Sequence, residues 1–152
     1  MNTNYEEGTF ATDREIISVR TFDAPIERVW KAWTDPEQLK LWWGPKGFTN
    51  TFHEFDLKPG GHWRFIMHGP DGTDYKNHSV FVEIVPQERI VFDHMAPRFR
   101  VTATFETVGE RTRLIWTGVF PTATELDKVK GFAVEGNRQN LDRLEALLAN
   151  SN

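Results

Sequence analysis

Residues 125–150 read ELDKVKGFAVEGNRQNLDRLEALLAN, and this stretch decides the fold. Apolar residues recur at helical spacing through Ala133 and Val134, then Leu141, Leu144 and Leu148, with charged residues on the opposite face. Asn137 falls within the same stripe. The pattern predicts one long amphipathic helix from Glu125 to Asn150, with a Thr122-x-x-Glu125 capping box at its start. A single apolar-faced helix must bury that face against another layer.

The preceding residues supply the layer. From Thr49 to Phe120 the helical period gives way to strands separated by turn residues. Strands are expected over 51–57, 62–68, 80–85, 89–95, 98–107 and 111–120, with turns at Pro59-Gly60-Gly61, Gly69-Pro70-Asp71-Gly72 and Gly109-Glu110. Trp63, Phe65 and Met67 alternate with His62, Arg64, Ile66 and His68. Val101, Ala103 and Phe105 alternate with Arg100, Thr102 and Thr104, and Leu114, Trp116 and Gly118 alternate with Arg113, Ile115 and Thr117. One face of the sheet is therefore apolar and aromatic, and it meets the long helix. The strand over 80–85 is apolar on both faces, which leaves open whether Phe81 or Val80 and Val82 point inward.

Further upstream, 14–22 reads as a strand, and Asp23-Ala24-Pro25 opens a helix with Asp23 as N-cap. Thr34-Asp35-Pro36-Glu37 restarts a second short helix with a capping box, and Gly44-Pro45 ends it after Trp42-Trp43. The order predicts an α+β fold: a seven-stranded curved antiparallel sheet wrapped around a long C-terminal helix, with two short helices between strands 1 and 2. Met1–Thr12 is read as a flexible tail, and residues 13–150 as one domain.

Composition narrows the function classes. The chain has 152 residues, no cysteine and a formal net charge of −4. Disulfide scaffolding, thiol catalysis and thiolate-bound zinc are excluded together. Mild acidity argues against a general binder of nucleic acid or anionic membrane. No apolar run approaches the ~20 residues of a membrane span, and the opening MNTNYEEGTFATD is polar rather than signal-like. The expectation is a soluble, cytoplasmic protein. Its 12 Phe and 6 Trp either fill a core or line a hollow one.

Phe22-Asp23-Ala24-Pro25, Val29-Trp30, Trp33-Thr34-Asp35-Pro36, Trp42-Trp43-Gly44-Pro45, Asp56-Leu57-Lys58-Pro59-Gly60-Gly61 and Gly136 followed by Leu141-Asp142-Arg143-Leu144 occur in a characteristic order. In that order the chain resembles the START-like (SRPBCC) helix-grip superfamily, and within it the branch named for the activator of the heat-shock-protein-ninety ATPase. The resemblance implies a cavity between sheet and helix that takes a lipophilic or aromatic small molecule. It implies no shared catalytic residues and no cofactor. Many relatives place Trp directly after the helix glycine; this chain has Asn137, which polarises or widens the space.

The residues themselves point to little covalent chemistry. Among His53, His62, His68, His78 and His94 no pair has helical metal-ligand spacing, and His62 and His68 stand roughly 20 Å apart along one strand. A cross-strand site using His53 or His78 is the residual metal option, and no metal is expected. Ser79 adjoins His78, but neighbours on a strand point to opposite faces and form no nucleophile–base pair. No catalytic residue is assigned. His53, His78, Glu83 and His94 are retained as polar groups for a cavity, beside the alternative of a solvated strand face for each.

The leading expectation is a binder of a small hydrophobic or aromatic molecule. Trp63, Phe65, Met67, Val101, Phe105, Trp116 and Leu141 supply the walls, and Asn137 is the polar anchor. A solid core without space is the alternative that composition alone favours; the family resemblance favours a cavity. Gly136 calls for a packing reason, either close approach to the sheet or room for a ligand. Trp42-Trp43-Gly44-Pro45 either plugs the open end of the sheet or forms a patch for a partner, including a second copy of the chain. A chaperone-interaction module and a cyclase-like or hydrolase-like enzyme remain the competing functions. The first of these ranks below ligand binding, since a chain read as one domain is expected to lack the additional domain that eukaryotic activators carry.

Overall fold

The computed structural model of the protein describes residues 6–150. Two strands, β1 (Gly8–Ala11) and β2 (Glu15–Phe22), precede two short helices, α1 (Ile26–Thr34) and α2 (Pro36–Trp42). Six strands follow: β3 (Thr49–Phe55), β4 (His62–His68), β5 (Asp74–Val85), β6 (Arg89–Met95), β7 (Arg98–Val108) and β8 (Arg111–Val119). The chain ends in α3 (Ala123–Asp127) and α4 (Lys130–Asn150).

The strands form one antiparallel sheet in the order β1-β2-β8-β7-β6-β5-β4-β3. Hairpins carry the chain from β3 to β8, and β2 then pairs with β8, Glu15 opposite Val119 and Phe22 opposite Thr112. The sheet curves around α4 without closing, which is the expected α+β helix-grip arrangement. Ion pairs from Arg20 on β2 to Asp142 (2.8 Å) and Glu145 (3.1 Å) tie the helix to that strand.

The strand count is eight rather than seven, because part of the expected tail is β1. Gly8 lies opposite Val19, and Phe10 packs against Ile17, Val19 and Ile115 on the face turned away from α4. Covering that apolar patch is the physical reason the segment pairs, and it also protects the edge of β2. Residues 1–5 of the expected tail lie outside the described residues.

Three local expectations are also corrected. The last helix is broken: Val129 N–H donates to the Leu126 carbonyl at 3.0 Å, a tighter turn that separates α3 from α4. This sets Leu126 wholly within a small cluster with Ile16 and Phe120. Pro25, not Asp23, is the N-cap of α1, and it makes no side-chain cap. In α2 the cap is Asp35, which accepts from Glu37 N–H at 2.9 Å, while Thr34 donates its hydroxyl back to the Trp30 carbonyl. Thr122 does cap α3, accepting from Glu125 N–H.

β5 begins six residues earlier than its expected start at Val80, and a bulge between Phe81 and Glu83 sets its faces. Phe81 is buried, Val82 is exposed, and Ile84 returns to the core. The loop at Pro59-Gly60-Gly61 hydrogen-bonds to both sides of the Phe81 peptide. Gly61 is needed there, because a Cβ would stand 1.9 Å from the Asp56 carbonyl oxygen.

Trp33 is the hub of the core. Its ring meets Trp42, Trp43, Phe105 and Trp116 edge-on at centroid distances of 5.0–5.9 Å. Trp42 is fully buried, and its Nε1–H donates to the Ala32 carbonyl at 2.9 Å. The tryptophan pair therefore plugs the interior beneath α1 and α2. This half of the space between sheet and helices is solid.

Candidate functional site

The other half is hollow. A cavity of about 280 Å³ lies between the inner face of β4–β8 and the first half of α4. β4 contributes Trp63, Phe65 and Met67, and β7 and β8 contribute Phe99, Val101, Trp116 and Gly118. From the other side come Ala133, Gly136 and Asn137 of α4, and Trp43, Gly44 and Pro45 of the turn after α2. Phe132, 71% exposed, stands at its rim, so the space opens to solvent beside the helix. Both readings of the aromatic content hold, in different halves of one interior.

The helix and the turn are clamped together around this opening. The Arg143 guanidinium donates to five backbone carbonyls, those of Leu41, Trp43, Gly44, Pro45 and Phe48, at 2.8–3.2 Å. Burial pushes its pKa down from the usual arginine value. Asn140 adds a second clamp: its amide oxygen accepts from Gly44 N–H at 3.2 Å, and its Nδ2 donates to the Trp42 carbonyl at 2.8 Å. Gly44 has φ +100°, and a Cβ there would stand 2.7 Å from Met67 Cε, so the turn requires glycine.

The sequence places Asn137 in the apolar stripe as the polar anchor. The buried amide is that of Asn140, at 4% exposure, one helical turn on along the same face. Asn137 is half-buried at the cavity wall, and its side chain makes no hydrogen bond among the described residues. Gly136 lies at the cavity wall beside Pro45; a Cβ there would stand 3.5 Å from Pro45 Cγ, an ordinary contact, so the close approach to the sheet expected of this glycine is not found.

Of the expected wall residues, Trp63, Phe65, Met67, Val101 and Trp116 line the cavity. Phe105 and Leu141 belong instead to the solid half. Phe105 packs edge-on against Trp30 at 5.2 Å and Trp33 at 5.8 Å, and Leu141 is 1% exposed in the same cluster. Their face was correct, but their height along the sheet and helix places them under α1.

The four polar candidates separate by face. His94 lines the cavity, stacks on Phe99 at 4.7 Å, and donates from Nδ1 to the Pro97 carbonyl at 2.8 Å. Its Nε2 meets the Asn77 side-chain amide at 2.9 Å. Burial lowers its pKa and outweighs the Pro97 carbonyl, which favours the charged ring. His53, His78 and Glu83 are not in the cavity. His53 is exposed, and with His78 it borders a shallow depression on the outer face, beside Arg64 and Met95. His78 Nε2 lies 2.8 Å from His62 Nδ1, and desolvation first, then Arg64 and His62, lower its pKa. Glu83 accepts from Arg89 Nε at 2.8 Å, which holds its carboxyl below the usual range.

Asn77, Ser79, Phe92 and Phe99 also line the cavity and were not singled out as wall residues. The signal was the alternation Tyr75, Asn77, Ser79, Phe81, hidden because 74–79 carries too few apolar residues to read as strand. Among the described residues, no group of three or more His, Asp or Glu side chains is placed to hold a metal ion. No helix of the described residues is long and apolar enough to cross a membrane.

Residues 23–149 match the family described as Activator of Hsp90 ATPase homolog 1-like protein. No curated protein matches the chain. Among solved structures, a protein from Arthrobacter aurescens is 26% identical with a TM-score of 0.88, covering 95% of this chain and 92% of its own. A protein from Mycobacterium smegmatis is 25% identical with a TM-score of 0.84, over 93% and 96% of the two chains. The fold is also that of an AHSA1 protein from Silicibacter pomeroyi, at 24% identity and a TM-score of 0.74 over 89% and 97%.

Proposed function

The chain belongs to the family of Activator of Hsp90 ATPase homolog 1-like proteins, and on that premise we propose that it binds a small hydrophobic or aromatic molecule between its sheet and α4. The observation that carries this reading is the apolar cavity of about 280 Å³ beside a core that is otherwise closely packed. Protein interiors rarely leave space larger than a water molecule. An apolar cavity of ~150 Å³ accepts one benzene, so this one suits roughly two fused rings. Trp63, Phe65 and Trp116 contribute aromatic wall, and Asn137 lines the cavity from the helix side.

The reading is tested with 2-naphthol, followed by quenching of tryptophan fluorescence. Saturable one-to-one binding is expected, weakened several-fold in Asn137→Leu with the fold intact. Unchanged affinity in that variant removes the role of Asn137, and no binding to the protein removes the cavity reading.

The family's description favours one further reading, an interaction module for a chaperone ATPase. Leu41, 58% exposed, and Phe132 are large apolar side chains available to a partner. Stimulation of a chaperone ATPase that is lost in Leu41→Asp or Phe132→Asp supports it.

A further inference from the structure

Four buried side-chain polar atoms have no hydrogen-bond partner among the described residues, and two of them, Trp63 Nε1 and Ser79 Oγ, belong to cavity-lining residues. Trp63 is 2% exposed and Ser79 1%. They lie directly opposite each other on β4 and β5, and Ser79 lies opposite His94 on β6. The three residues form one row across the sheet facing α4.

A buried N–H or O–H left unpaired is costly, so such groups are nearly always served. The Trp63 ring is held by stacking on Phe65 at 4.6 Å and by contacts with Trp43, Phe52 and Phe55, so its N–H keeps its direction. An indole N–H only donates, while a serine hydroxyl rotates to donate or accept. The one complement common to both is an acceptor. Asn77 and His94 are bonded to each other, and Asn140 to the turn, so these do not compete for it.

The charge of that acceptor follows from the walls. The lining contains no Asp, Glu, Lys or Arg, and burial disfavours a charged His94. An anion would be desolvated there without a counter-charge. The remaining walls are mostly aromatic and aliphatic, with the Asn137 amide on the helix side, a lining that suits flat rings.

We infer that the molecule held in this cavity is a neutral aromatic carbonyl compound of about two rings, whose oxygen accepts from Ser79 Oγ and Trp63 Nε1. The inference rests on the binding role proposed above and specifies its ligand class.

Three naphthalenes of one outline test it by calorimetry: 2-acetylnaphthalene, 2-isopropenylnaphthalene and 2-naphthoate at neutral pH. The ketone is expected to bind at least about tenfold tighter than the hydrocarbon, since two donors depend on it. Transfer from water favours the hydrocarbon, so a ketone preference originates in the site. The naphthoate is expected to bind weakest. Ser79→Ala should reduce the ketone preference several-fold and leave hydrocarbon affinity within about twofold. The wild-type comparison stands even if that variant folds poorly. Equal affinity for ketone and hydrocarbon overturns the inference, leaving water to serve the pair while the cavity reading survives. Tightest binding by the naphthoate overturns the neutral ligand. No binding by any of the three overturns the cavity reading itself, and this inference with it.

Discussion

Gly136 on α4 and Pro45 in the turn after α2 face each other at the cavity wall, with a Cβ added at Gly136 standing 3.5 Å from Pro45 Cγ. That distance is ordinary van der Waals contact. It is room for a methyl group and for little more.

Gly136→Ala is therefore expected to be tolerated and to raise stability by up to about 1 kcal/mol through helix propensity. Affinity for 2-acetylnaphthalene should stay within about twofold, given how little the methyl group fills. Gly136→Trp should instead overpack against Pro45, lower stability by about 1–3 kcal/mol and weaken binding. Thermal denaturation paired with the binding titration reads both effects.

Arg143 holds five carbonyls of the turn, and no other side chain replaces that fork. Arg143→Met should destabilise the protein by about 1–3 kcal/mol, because it leaves partly buried carbonyls without their donor and frees the turn. Arg143→Lys should recover part of this and no more. Urea denaturation measures it. A change below about 0.5 kcal/mol for Arg143→Met, the range of ordinary surface substitutions, would contradict the clamp.

His94 gives stability a pH dependence of known sign. Its folded pKa lies below the ordinary value of 6.5, so the unfolded chain takes up the proton first as pH falls. Stability is full above about pH 6.5 and is lost as pH falls toward the folded pKa. His78 shifts in the same direction and adds to the slope. Unfolding free energy measured from about pH 7 to about pH 5 should fall less steeply in His94→Gln than in the wild type. An unchanged slope would contradict the assignment. Carboxylates held low by arginine, such as Asp93 beside Arg100, act only nearer pH 4 and do not confuse this window.

Most of the architecture was legible because period and face are local properties. The alternation of Trp63, Phe65 and Met67 against His62 and Arg64 assigned the inner face of β4 correctly, and the leucine stripe oriented α4. Height within the layer is not local. Phe105 and Trp116 share a face, yet one ends under Trp30 and Trp33 and the other at the cavity wall, as tertiary packing dictates. The bulge at Phe81/Glu83 likewise shifts register by one residue, and the run Val80-Phe81-Val82, apolar at every position, gives no pattern that reveals it. Asn137 and Asn140 differ by one helical turn, and only the docking of Trp42 and Gly44 selects which amide is buried. β1 escaped notice because its four residues, Gly-Thr-Phe-Ala, are too short to show a period.

The central claim is that the space between α4 and the Trp63/Trp116 face holds an aromatic molecule. A crystal structure grown with 2-bromonaphthalene tests it most directly, because bromine is located by its anomalous signal. The account predicts one bromine inside the sheet, within contact distance of Trp63 or Trp116 and enclosed by Gly136 and Pro45 on the helix side. Bromine found only on the outer surface, with the interior closed around those tryptophans, would contradict it.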